Sequence, residues 1–229
     1  MDTVLHATHI TKHFYQPEKF EVLHDIDFEV QRGEFLTVVG KSGCGKSTLL
    51  YILSTMDTDY EGRLEIDGKL LTGKNNNELA LFRNEHMGFV FQFHYLLPEF
   101  SALENVMLPG LKLNKYSKEE VEDRAYEKLK LLDMQDFAKK GSNKLSGGQQ
   151  QRVAIARSLI NDPTIIMGDE PTGNLDKANT SIVFGIFKEL SQQFKQTIIA
   201  VTHDTEFAQK SDRTIVMSDG KIVSGSKLL

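Results

Sequence analysis

Nine residues, Gly40–Thr48 (GKSGCGKST), constrain this chain more than any other stretch. They fit G-x-x-x-x-G-K-[ST], with Gly40, Gly45, Lys46 and Ser47 at the fixed positions and Lys41, Ser42, Gly43 and Cys44 between them. An apolar run of strand length, Phe35–Val39, leads into the loop, and an apolar helix-like segment, Thr48–Leu53, leads out. Glycines let the backbone curl until successive N–H groups face inward around phosphate oxygens. The helix behind offers its N-terminus to the same anion. In such a loop the lysine, here Lys46, reaches the β- and γ-phosphates, and the hydroxyl, here Ser47, ligates Mg²⁺. A plain glycine turn between strand and helix has no need of Lys-Ser after its last glycine. The segment reads as a nucleotide-phosphate site.

The rest of the composition narrows the setting. At 229 residues the chain has room for one sizeable domain, or one core with a smaller subdomain. Its purely apolar runs are far shorter than the ~20 residues that span a bilayer, and the start, MDTVLHATHI, carries an acid early with no cationic-then-apolar block. Cys44 is the only cysteine, so no internal disulfide can form and a reducing compartment is expected. The net charge of −5 without a basic block argues against a nucleic-acid partner. The expectation is a cytosolic, soluble protein.

Along the chain, Ile26, Phe28 and Val30 alternate as on a half-buried strand. Lys12-His13-Phe14-Tyr15 puts two aromatics in a short loop before Pro17, available for packing or for stacking on a purine. Gly62–Leu71 reads as a hairpin turning at Asp67-Gly68, Thr72–Asn77 as a loop and Glu78–Asn84 as a short helix. Met87–Phe91 reads as a buried strand ending at the polar Gln92. From Phe93 to Ile160 the pattern is helical. Ser117–Glu120 forms a capping box, with Val121, Ala125, Leu129 and Leu132 at helical spacing behind it. Leu145-Ser146-Gly147-Gly148-Gln149 interrupts the pattern and precedes a helix over Gln150–Ile160. Thr164–Met167 reads as a third buried strand, ending at Gly168-Asp169-Glu170. Adjacent carboxylates beside a core need a partner such as a metal or bound water, and a strand-end Asp of phosphate-loop enzymes holds Mg²⁺. A helix over Lys177–Phe194 places Ile182, Ile186, Leu190 and Phe194 on one face. A fourth buried strand, Thr197–Val201, ends at Thr202-His203-Asp204, and Ile215–Val223 reads as a hairpin around Asp219-Gly220. Three strand ends thus carry Gln92, Asp169 and His203, and parallel sheets gather ligands at their carboxyl ends.

These motifs, in this order, resemble the nucleotide-binding subunits of ABC transporters, and the resemblance runs nearly end to end. Gly40–Ser47 corresponds to the phosphate loop, Gln92 to the glutamine loop and Leu145–Gln149 (LSGGQ) to the signature. Ile165–Glu170 corresponds to the second carboxylate motif, Gly173–Asp176 to the D-loop and His203 to the switch histidine. The resemblance implies an α/β phosphate-loop NTPase with a parallel-sheet core, an N-terminal antiparallel β subdomain and an inserted helical subdomain. It places the core at residues 1–92 and 161–229 and the helical part at 93–160. It implies an ATP-dependent head-to-tail homodimer holding two ATP, with the phosphate loop of one copy facing Ser146, Gly147, Gly148 and Gln149 of the other. Lys41, Ser42, Gly43, Cys44 and Thr48 complete the loop around the phosphates. Lys46 binds phosphate, Ser47, Gln92 and Asp169 attend Mg²⁺, Glu170 is the general base, His203 contacts the γ-phosphate and Asp176 links the two sites. An aromatic near Lys12 stacks on adenine; Phe14 fits the pattern, with Tyr15 beside it as the alternative.

A narrower resemblance lies in Gln92–Pro109 (QFHYLLPEFSALENVMLP), which is similar to the ATPase of the bacterial lipoprotein-releasing (Lol) system, in a group with macrolide exporters and a cell-division ATPase. There the stretch receives a cytoplasmic coupling helix from integral membrane permease subunits. The implied setting is peripheral, on the cytoplasmic face of the bacterial inner membrane. A macrolide-exporter-type or cell-division complex is the alternative. Cys44, inside the phosphate loop, predicts that a thiol alkylator abolishes hydrolysis and that ATP protects.

Overall fold

The computed structural model describes residues 2–15 and 18–226; Pro17, expected to end the first loop, lies outside them. In chain order the elements are β1 (Thr3–Phe14), β2 (Phe20–Gln31), β3 (Phe35–Val39), α1 (Lys46–Leu53), β4 (Glu61–Ile66), β5 (Lys69–Leu70), α2 (Asn76–His86) and β6 (Met87–Phe91). They continue with α3 (Ala102–Leu113), α4 (Lys118–Leu131), α5 (Gly147–Leu159), β7 (Ile165–Asp169), α6 (Lys177–Phe194), β8 (Thr197–Thr202), α7 (Thr205–Gln209), β9 (Arg213–Ser218) and β10 (Lys221–Ser226). Two compact units result, one of Met1–Leu79 with Lys188–Leu229 and one of Ala80–Phe187.

The first unit carries an antiparallel sheet of order β2-β1-β4-β5. It also holds a parallel set in which β3 lies between β8 and β9, with β10 antiparallel on β9. Alternation makes the antiparallel sheet: Leu64 and Ile66 are buried while Glu61 and Arg63 face water. By contrast β8, TIIAVT, is buried at every residue, the continuous apolar signature of a strand covered on both faces. At about 1.5–3 kcal/mol for each fully buried aliphatic side chain, these strands anchor whatever leaves their ends.

The second unit packs α3, α4 and α5 with the parallel pair β6 and β7. Each of the three helices opens with a serine capping box, Ser101 with Glu104, Ser117 with Glu120 and Ser146 with Gln149. Only the second is read from sequence above; Val121, Ala125, Leu129 and Leu132 behind it are all buried.

Four local expectations are corrected. Lys12–Phe14 is the end of a strand, because its residues pair with Phe20–Leu23 of β2. The second helix starts at Asn76, where the Asn75 side chain accepts from the amides of Asn77 and Glu78. Gly147 and Gly148 lie in the first turn of α5, because Ser146 supplies the cap. On α6 the buried apolar residues are Val183, Phe184, Phe187 and Leu190, while Ile182 and Phe194 are 46% and 54% exposed. A strict four-residue spacing advances by about 40° per step, so it walks off the buried stripe within three steps.

Candidate functional site

In the first unit, β3 and β8 run parallel with Val39 opposite Thr202. The phosphate loop and His203 therefore leave adjacent strands at the same level. Two glycines of the loop are dictated by geometry. A Cβ on Gly40 would overlap the Met217 carbonyl and lie 2.6 Å from the Cys44 sulfur. Gly45 has φ 100°, and a Cβ there would approach Leu23 to 2.8 Å. Gly45 caps α1 without any side-chain hydrogen bond, so the helix start and its partial positive charge are not covered by a capping side chain. The Lys46 ammonium donates to the carbonyls of Gly40 and Lys41 at 2.9 and 3.0 Å, crossing the mouth of its own loop. Concave backbone, a helix start and an ammonium are the chemistry of a polyphosphate cradle.

The strand carrying Phe14 adjoins this loop. Leu23, the residue that packs on Gly45, pairs with Lys12, two residues before Phe14. Phe14 is 41% and Tyr15 61% exposed, and the Phe14 ring sits 5.8 Å from Phe20. Lys12 itself is buried and salt-bridged to Asp57 at 2.9 Å and Asp59 at 3.2 Å, just past the end of α1. Burial alone would lower its pKa, but the two carboxylates outweigh it and the ammonium is held more firmly than usual. This anchor is invisible in sequence, because nothing in spacing links residues 12 and 57.

In the second unit, β6 and β7 run parallel with Phe91 opposite Asp169, so Gln92 and Glu170 leave side by side. Glu170 stands in the left-handed region, φ 46°, directly before Pro171. A non-glycine residue there costs about 1–3 kcal/mol and persists only where its surroundings enforce it. A turn bond from the Gly173 amide to the Glu170 carbonyl, 2.9 Å, is one such constraint. Gln92 and Asn174 exchange amide bonds, Gln92 Nε2 to Asn174 Oδ1 at 3.3 Å and Asn174 Nδ2 to the Gln92 carbonyl at 3.2 Å. Asn174 was not singled out in sequence; its D-loop position was the available signal.

The signature follows the same logic. Ser146 and Gly147 are exposed at the start of α5, and Gly148 is buried. The Gln149 side chain turns back to accept from the Ser146 amide at 3.0 Å, so it serves the cap. A Cβ on Gly148 would overlap the side chain of Asn179. Asn179 in turn donates to Asp176, through its amide at 2.8 Å and its Nδ2 at 2.9 Å. Those donors hold the Asp176 carboxyl below the ordinary range, first through the Asn179 backbone. The D-loop carboxylate and the signature glycine are thus in one packed constellation.

A further surface lies in the segment after Gln92. Phe93, Tyr95 and Leu97 are 61%, 64% and 44% exposed. The backbone beneath them is braced. Arg157 of α5 donates to the carbonyls of His94 and Tyr95 at 2.8 and 2.7 Å, and Asn105 takes the Leu97 amide at 2.8 Å. Burial, with Arg157 close by, lowers the His94 pKa and keeps that ring neutral. The segment thus presents exposed apolar side chains on a hydrogen-bonded backbone.

Cys44 is buried, its sulfur turned to Gly40. Alkylation by iodoacetamide in the absence of nucleotide is expected to run at least ~10-fold slower than for an exposed thiol, and to stop hydrolysis once complete. Mass spectrometry against residual activity checks this; full modification with intact hydrolysis would remove Cys44 from the phosphate loop's working face.

With this geometry in view, comparisons with known proteins are specific. Residues 23–173 match the ABC transporter family. The chain is 48% identical over 203 residues to the lipoprotein-releasing system ATP-binding protein LolD of Cytophaga hutchinsonii, covering 89% of this chain and 92% of that one. It is 46% identical over 220 residues to the LolD of Bacteroides fragilis, covering 96% and 100%. Among solved structures, the dimeric post-hydrolysis state of the ATP-binding cassette MJ0796 bound to ADP and Pi superposes with a TM-score of 0.90 at 38% identity, over 98% of this chain and 99% of that one.

Proposed function

We propose that this chain, which belongs to the ABC transporter family and is an ATP-hydrolysing cassette of that α/β fold, powers the release of lipoproteins by integral membrane partners. The observation that carries this reading is its similarity, over nearly its whole length, to the lipoprotein-releasing ATP-binding proteins of Cytophaga hutchinsonii and Bacteroides fragilis. The exposed Phe93-Tyr95-Leu97 surface within Gln92–Pro109 supports a docking role for that segment. Among the described residues no helix is long and apolar enough to cross a membrane; the setting that goes with the lipoprotein-release reading is peripheral, on the cytoplasmic face of the inner membrane beside membrane-spanning partners.

The residue roles follow from side-chain chemistry. Lys46 and the start of α1 hold the phosphates of ATP. The hydroxyl of Ser47, the amide oxygen of Gln92 and the carboxylate of Asp169 are oxygen donors suited to Mg²⁺, which when bound neutralises charge developing on the phosphates. Glu170 takes the proton of the attacking water and His203 orients on the γ-phosphate. Phe14 covers adenine. Ser146, Gly147 and Gly148 act on the ATP of a second copy, with Asp176 conveying the state of one site to the other. The dimeric form of MJ0796 supports that arrangement.

Capture of the tagged protein from membranes of its own host, followed by mass spectrometry, tests the reading. The expected result is two related integral membrane proteins with large extracytoplasmic domains, together with lipoproteins, and loss of both from a Phe93→Asp variant. Recovery of a drug-export subunit or a cell-division membrane protein in their place would overturn lipoprotein release while leaving the ATPase.

A further inference from the structure

Gln151 lies on α5, one residue beyond the pair Gln149-Gln150, and is 1% exposed. Its Nε2 donates to the Pro171 carbonyl at 2.5 Å and reaches the Phe91 carbonyl at 3.4 Å. Phe91 immediately precedes Gln92, and Pro171 immediately follows Glu170. One side-chain amide therefore ties together the two strand ends that carry the proposed catalytic groups, and ties both to the signature helix. The other amide atom, Oε1, is buried and has no hydrogen-bond partner among the described residues. Rotating the amide to satisfy it would set an oxygen against two carbonyl oxygens, so the donor orientation is fixed by its surroundings. A buried polar atom left unpaired is a standing cost, and native structures keep few of them. Here the same side chain is the bridge between β6 and β7 at the level where Phe91 pairs with Asp169. The Gln92–Asn174 hydrogen bonds add a second tie between the residue that follows β6 and the segment that follows β7.

We propose that Gln151 is a positioning residue for hydrolysis. It fixes the backbone just before Gln92 and just after Glu170, sets their separation, and couples that separation to the first turns of α5. The proposal rests on the reading of Glu170 as the general base. A donor is required, so shape alone does not suffice. Methionine keeps the length and loses both hydrogen bonds; glutamate keeps the outline and turns carboxylate oxygens on the two carbonyls.

The test uses the full-length purified protein as wild type, Gln151→Met, Gln151→Glu and Glu170→Gln. Single-turnover ATP hydrolysis, the Kd of a fluorescent ATP analogue and the urea unfolding midpoint are measured on each. Misplacement of a reacting group by about 1 Å costs on the order of 100-fold in rate. Gln151→Met is accordingly expected to lose roughly 10- to 100-fold in hydrolysis per folded molecule, with Kd within about threefold of wild type, and Gln151→Glu more. Should Gln151→Glu fail to fold, Gln151→Met carries the test. A Gln151→Met protein that hydrolyses at the wild-type rate beside a silent Glu170→Gln overturns the proposal alone. So does a loss matched by an equal rise in Kd or fully accounted for by the unfolded fraction. A Glu170→Gln protein that turns over at the wild-type rate overturns the general-base reading, and the positioning proposal with it.

Discussion

Glu170→Gln should reduce the rate of ATP hydrolysis by about 10²- to 10⁴-fold, the range that a lost general base removes, and should accumulate an ATP-bound dimer. Glutamine preserves the outline of the side chain and its place before Pro171. It cannot accept a proton from water at neutral pH. The backbone argument makes this substitution clean. Glu170 is held at φ 46° between β7 and Pro171, with its carbonyl receiving the Gly173 amide. Those backbone constraints are kept by glutamine, which also matches the glutamate in size, so the variant should fold as the wild type does. The phosphate loop is untouched as well, and nucleotide affinity should stay within about threefold, under 1 kcal/mol. Light scattering with and without Mg·ATP reads the dimer, and a phosphate-release assay reads the rate. A variant that remains monomeric at saturating ATP would count heavily against two copies closing on the nucleotide. Wild-type turnover would remove Glu170 from the chemistry.

The legible parts of this protein are those written in consecutive residues. Gly40–Ser47 declares a phosphate loop because glycines, lysine and serine must stand at fixed offsets for the backbone to close around an anion. Strand ends were legible to within two residues for the same reason: an apolar run simply stops, at Val39, Phe91, Met167 and Val201, and the strands themselves end at Val39, Phe91, Asp169 and Thr202. Which ends become neighbours is a non-local matter. The opposition of Val39 to Thr202, and of Phe91 to Asp169, places His203 beside the phosphate loop and Glu170 beside Gln92. No periodicity announces it. Least visible were polar residues whose partners are backbone carbonyls or distant acids. Gln151 reads as one more glutamine in a polar run, and Lys12 as a cation in a short loop, until burial and partners are known. The face of α6 was misread because the regular spacing from Ile182 to Phe194 drifts around the helix, whereas Val183, Phe187 and Leu190 follow the turn.

Lys46→Ala should weaken ATP binding at least ~100-fold, or roughly 2.8 kcal/mol, and so abolish hydrolysis at ordinary nucleotide concentrations. The lysine is 7% exposed and its ammonium bridges the carbonyls of Gly40 and Lys41, so it does two things at once. In the proposed role it is the positive charge that phosphate meets inside the loop. It is also the cross-link that keeps the loop curled when no phosphate is there. Alanine removes both, leaving two carbonyl oxygens lining an anion site from which the counter-charge has gone. Arginine does not replace it. A planar fork cannot take the place of a compact ammonium seated between carbonyls of consecutive residues, and Lys46→Arg should lose more than about tenfold in affinity. The rest of the domain is independent of this side chain. Leu49, Leu50, Ile52 and Leu53 hold α1 in the core, so the thermal midpoint without nucleotide should move by only a few degrees. Titration of a fluorescent ATP analogue into the two variants decides the matter. Affinity within threefold of wild type in Lys46→Ala would mean that phosphate is held by the helix start and loop amides alone.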